Sequence, residues 1–137
     1  MKKILIILTC ITIVYGLNSC KKDKVSENTK LLTAHIWTAS SLLADGIDEG
    51  GEGGFLEIFN GDTKFNEDGT GYVGGVIGTW RFENDEKNLI ISSDSLLFPV
   101  STTILELTEI SLKLGTEYPR QVEPLVYADV EMSFIPK

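Results

Sequence analysis

Three groups of side chains in this sequence are equipped for chemistry: a thiol, an imidazole and a run of carboxylates. Cys20 stands in Leu17-Asn18-Ser19-Cys20-Lys21-Lys22-Asp23-Lys24, where an apolar stretch ends and charge begins. Its thiol is the most nucleophilic side chain of the stretch. His35 is the single histidine. Without a second one, a zinc or copper site would have to rest on carboxylates, an unusual ligand set for either metal. No Gly-x-Ser-x-Gly elbow exists to give His35 a serine partner. It reads as a helix-end or core-edge residue.

The carboxylates Asp45, Asp48, Glu49 and Glu52 fall among glycines in "DGIDEGGEGG", residues 45–54. A phosphate cradle would need Lys and Ser/Thr, and these acids would repel the anion. Calcium suits carboxylate and carbonyl oxygens, but the spacing departs from D-x-[DN]-x-[DN]-G and no glutamate closes the loop at its twelfth position. The stretch reads as a solvated, mobile loop whose acids lack a basic neighbour. No catalytic residue, metal ligand or cofactor follows from these groups, and the chain does not read as an enzyme.

The elements around Cys20 explain its placement. Lys2-Lys3 precede an apolar run of 14 residues, Ile4 to Leu17, and small Ser19 precedes the thiol. A spanning helix needs about 20 residues, so the run reads as an export signal cleaved after residue 19. Leu17-Asn18-Ser19-Cys20 resembles the lipobox of bacterial lipoproteins, with the apolar residue at −3 and the obligatory cysteine. The resemblance implies that Cys20 is acylated and anchors the protein to a membrane, palmitate being a typical chain. Lys21 is not the aspartate that retains lipoproteins in the inner membrane of Gram-negative cells, and by that sorting rule the outer membrane is favoured.

Cleavage removes Lys2, Lys3 and Cys10, leaving 10 basic against 20 acidic side chains, a charge of −10 instead of −8. So acidic a surface disfavours nucleic acid and anionic lipid head groups, both of which are bound through Lys and Arg. With Cys20 the sole remaining cysteine, no intrachain disulfide can form. Residues 20–29, "CKKDKVSENT", are polar without periodicity and read as a flexible tether. Residues 30–137 then form one domain.

Within that domain Asn28 or Thr29 offers a helix cap, followed by Leu31, Leu32 and Ile36 at helical spacing. Alternation takes over afterwards. Trp80 and Phe82 oppose Arg81 and Glu83; Thr103, Leu105 and Leu107 oppose Ile104 and Glu106; Ile110, Leu112 and Leu114 oppose Ser111 and Lys113. In the last strand Val126, Ala128, Val130, Met132 and Phe134 face inward. One wet and one buried face is the mark of antiparallel sheets. Turns at Asn66-Glu67-Asp68-Gly69, in "FENDEKNL" and in "LTEIS" separate eight or nine short strands, and Pro99, Pro119, Pro124 and Pro136 sit where strands begin, bulge or end.

A short helix leading into Trp37, then Phe65-Asn66-Glu67-Asp68-Gly69-Thr70, then Gly78-Thr79-Trp80-Arg81-Phe82, then "ILELTEISLKL", resembles the lipocalin-like domains of small bacterial lipoproteins over roughly residues 30–135. Where lipocalins favour Gly-x-Trp this chain has His35-Ile36-Trp37. The resemblance implies an all-β, up-and-down antiparallel barrel with a short N-terminal helix. Its lumen would be lined by Trp37, Trp80, Phe82, Ala128, Val130, Met132 and Phe134. Two roles follow for it. The lumen holds a small apolar ligand, or side chains fill it and the barrel is a structural or interaction module for another envelope protein.

Overall fold

The computed structural model describes residues 24–121 and 123–137. The expected signal segment and the lipidation residue Cys20 lie outside the described residues. Helix α1 spans Glu27–Ala34. Ser26 caps it rather than Asn28 or Thr29: its hydroxyl accepts from the Thr29 backbone N–H at 3.1 Å. A serine just before an acidic first turn satisfies a free helix donor and suits the helix dipole. The helix therefore begins inside the expected tether. Ile36 falls past its end and is exposed, while Leu32 is fully buried.

Among the described residues nine strands follow: β1 Trp37–Ala44, β2 Ile47–Asp48, β3 Asp62–Phe65, β4 Thr70–Val73, β5 Val76–Glu83, β6 Asn88–Ser92, β7 Val100–Leu107, β8 Leu112–Gln121 and β9 Val126–Pro136. A 3-10 turn, Glu57–Phe59, precedes β3. Each of β3 to β9 pairs antiparallel with the next. β1 then closes the ring, from Trp37 opposite Pro136 to Ala44 opposite Val130 on β9, and with Trp37 opposite Thr63 on β3. The result is a closed, eight-stranded, up-and-down antiparallel barrel. Two-residue β2 is appended to the far end of β1. Closure removes the unpaired sheet edges that would otherwise invite aggregation.

The barrel has a helix end, where α1 and the hairpin turns after β3, β5 and β7 lie, and a loop end with residues 45–61, 93–99 and 123–125. At the helix end Trp37 is fully buried, and its Nε1 donates to the Leu32 carbonyl at 3.0 Å. The His35 ring meets the indole edge-on at 5.5 Å. The helix therefore packs closely on the first strand with His35-Ile36 in place of Gly-x. Beside it, Lys137 Nζ reaches Asp62 at 2.5 Å and ties the chain terminus to β3.

Alternation holds where strands are regular and fails at three bulges. Ala128, Val130, Met132 and Phe134 are all buried. Val126 is 43% exposed, being the first residue after the hairpin, and Ile110 is 74% exposed in the turn ahead of β8. The register against β8 shifts between Ile104 and Glu106, so Leu105 is an extra residue. Ile104 and Leu107 consequently both pack on the core while Leu105 is thrown outward. Ser40 is the extra residue between β1 and β9, and Arg120 between β8 and β9. Bulges re-aim side chains, and two of these three do so at the surfaces described next.

Candidate functional site

Of the seven residues expected to line a lumen, Trp37, Ala128, Val130, Met132 and Phe134 lie in the buried core. Trp80 and Phe82 are half-buried and packed against it. Trp80 is committed to structure: its Nε1 donates to the Asn66 and Thr70 carbonyls at 2.9 and 3.1 Å, bracing the turn before β4. Phe65 and Phe82 meet it edge-on at 5.9 and 5.4 Å.

The interior space itself is nearly consumed. Between Val130, Met132 and the loop-end residues Leu56, Phe59, Leu96 and Tyr118, a water centre has about 10 Å³ in which to move. That is close to the minimum for a single water, and these walls are mostly apolar. Leu56 and Phe59 come from the loop between β2 and β3 and plug the barrel from above. Tyr118 meets Phe59 edge-on and Phe55 and Phe98 at a tilt, with ring centres 6.0 to 6.2 Å apart, and burial pushes its phenol pKa up.

The acidic loop is held by a residue far along the chain. Arg120, re-aimed by its bulge, donates from Nη1 and Nη2 to Glu49 Oε2 and Oε1 at 2.9 and 2.7 Å. Its Nη2 also lies 3.7 Å from Asp45, and its guanidinium sits 4.7 Å above the Phe55 ring. The Arg120 hydrogen bonds hold the Glu49 carboxyl below its ordinary pKa. Backbone bonds complete the fastening: Leu56 N–H to Glu49 at 2.9 Å, and Asn60 side chain to Gly50 at 2.8 Å. The expectation that these acids lack a basic neighbour is thus corrected. The basic partner lies 71 residues away, beyond the reach of local spacing, and its only trace in the sequence is an arginine beside Pro119 in an acid-rich segment. Among the described residues no three His, Cys, Asp or Glu side chains converge to hold a metal ion.

The roomier concavities are on the outside. A groove of about 580 Å³ crosses the outer wall of β7, β8, β9 and β1, with Leu43, Leu105 and Gly115 along it and Glu117, Asp129 and Glu131 beside them. Comparison with protein-family models and with curated proteins finds no match to this chain. The architecture alone therefore defines the class: an eight-stranded antiparallel barrel compatible with a lipocalin-like fold.

Proposed function

We propose that this is a lipocalin-like lipoprotein of the bacterial cell envelope, anchored in the outer membrane by lipid on Cys20, whose solid barrel acts through its outer surface as an interaction module. The observation that carries the reading is the filled interior. A pocket for a small apolar ligand needs roughly 300 Å³ or more, against about 10 Å³ left between Met132 and Tyr118. The anchor rests on the Leu17-Asn18-Ser19-Cys20 pattern and the short apolar run ahead of it. α1 is the first described element after Cys20 and lies at the helix end of the barrel. No reaction is assigned to it.

The test has two arms. The wild-type chain incorporates labelled palmitate in the producing bacterium and Cys20→Ser does not; equal labelling ends the lipoprotein reading. Titrating the purified protein with an apolar fluorescent probe leaves the emission of Trp37 and Trp80 unchanged. A saturable shift with one probe per chain would restore the carrier reading.

A further inference from the structure

Glu117 on β8 lies directly opposite Asp129 on β9, and Glu131 is opposite Gly115 on the same pair of strands. Like charges facing each other across a ladder destabilise a sheet. Among the described residues none of the three carboxylates has a Lys or Arg within ion-pair distance. Arg120, the cation on the same strand, is already spent on Glu49 and Asp45. Among the described residues no basic side chain lines the groove the three acids border. Leu43 and Leu105 supply its apolar part, beside Thr103 and Thr116. The bulge at Leu105 turns that side chain outward, where it is 53% exposed. The Leu105 side chain lies against Gly115, where a Cβ would come within 3.1 Å of its Cδ1. A sheet that keeps an uncompensated carboxylate pair beside an outward leucine breaks two rules of local consistency in one place, as functional surfaces do.

We propose that this groove docks an extended segment of another protein in which lysine or arginine alternates with apolar residues. The basic side chains neutralise Glu117, Asp129 and Glu131, and the apolar ones lie on Leu43 and Leu105. Charge complementarity selects this occupant. A second copy of the chain would bring the same carboxylates face to face, and nucleic acid or an anionic bilayer would be repelled. The inference rests on the reading of the barrel as a surface-acting module and names the surface and its partner's chemistry.

The test uses the lipidated protein in neutral detergent micelles, with amide NMR spectra recorded during titration with an acetylated octapeptide of alternating lysine and leucine. The expected result is saturable shifts centred on Gly115, Thr116 and Val130, with none from a glutamate–leucine peptide. Glu117→Gln with Asp129→Asn weakens the affinity about tenfold or more, and Leu105→Ser weakens it at constant charge. Glu117→Gln alone raises the melting temperature, because it relieves the opposed pair. Silent groove amides, shifts spread over the whole surface, an affinity indifferent to the acid substitutions, or an unchanged melting temperature would each overturn the proposal. So would calcium chloride moving the same amides while the peptide stays inert. Shifts at interior Met132 with an apolar probe would instead defeat the surface-module reading, which keeps the two failures apart.

Discussion

Arg120 and Glu49 close the loop end of the barrel with a paired, two-pronged hydrogen bond, 2.9 and 2.7 Å long, between a bulged residue of β8 and the loop that carries the plug. The planar guanidinium matches the carboxylate fork, and lysine would not replace it. Because Leu56 N–H bonds to the Glu49 carbonyl, whatever frees Glu49 loosens Leu56 and, through the 3-10 turn, Phe59.

Arg120→Ala is expected to leave the barrel folded while hydrogen exchange at the Leu56 and Phe59 amides accelerates. The same fastening sets a pH dependence. Glu49 has its pKa lowered by Arg120 in the folded state, so the pair contributes stability above the ordinary carboxylate pKa of about 4.3. That contribution is lost as pH falls through the lower folded value. Exchange at Leu56, corrected for intrinsic rates, therefore stays flat from neutral pH to about 4.3 and rises below it. In Glu49→Gln the rise is absent. A rise that begins near neutrality would point to another group.

Gly71 and Gly78 face each other across β4 and β5. A Cβ on Gly78 would run into the Ser92 carbonyl oxygen, and one on Gly71 into that of Lys64. Both obstacles are backbone and cannot rotate aside. Gly78→Ala is expected to cost about 3 kcal/mol, the upper end for overpacking. Gly75→Ala is the control: the nearest atom to its Cβ is the Ile58 carbonyl oxygen at 3.4 Å, an ordinary contact, so its stability stays within about 0.5 kcal/mol. Urea unfolding of the two variants checks the contrast.

Thr63 is fully buried and its hydroxyl has no hydrogen-bond partner among the described residues, unlike Thr102, which donates to the Leu89 carbonyl at 2.9 Å. A buried, unpaired hydroxyl costs about 1–3 kcal/mol. Thr63→Val keeps the shape and removes the hydroxyl, so a gain of about 1 kcal/mol is expected. Thr102→Val loses a satisfied hydrogen bond in the core, so it destabilises. Opposite signs in thermal unfolding are the outcome to look for.

The barrel was legible from alternation because period two survives wherever strands pair regularly, as from Ala128 to Phe134. Turn chemistry was legible too: Gly69 takes φ +85°, and Asn84, Asp85 and Glu86 all take positive φ in the turn after β5. Each proline falls at a strand end, a turn or a bulge. The bulges themselves were not legible, because an extra residue is defined by the partner strand's register and not by its own neighbours. Leu105 looked like a strand residue in phase with Leu107, and Arg120 like one more polar residue of β8. The site features that matter at the surface come from these slips and from pairings such as Glu117 with Asp129, which no local spacing reveals. The filled interior was half legible: the inward apolar residues could be read, but the plug of Leu56 and Phe59 comes from a glycine-rich loop that reads as solvated.

The interior is tested most directly by adding and removing volume at two neighbouring sites. Ala128 is fully buried opposite Tyr118, and Met132, 3% exposed, borders the residual void. The space beside Val130 and Met132 leaves a water centre only about 10 Å³, far too little to take up an indole, so Ala128→Trp overpacks the core beside Tyr118. It is expected to cost at least about 3 kcal/mol, the upper end for overpacking. Met132→Ala works the other way. Truncating a buried methionine typically costs about 2–5 kcal/mol and leaves an apolar cavity, and such cavities stay dry and accept small hydrocarbons. The wild-type protein should therefore show no change in melting temperature with benzene, whereas Met132→Ala, though less stable, should recover part of its loss as benzene fills the space. Stabilisation of the wild type by benzene would reveal room in the parent barrel, and with it a carrier rather than a solid platform.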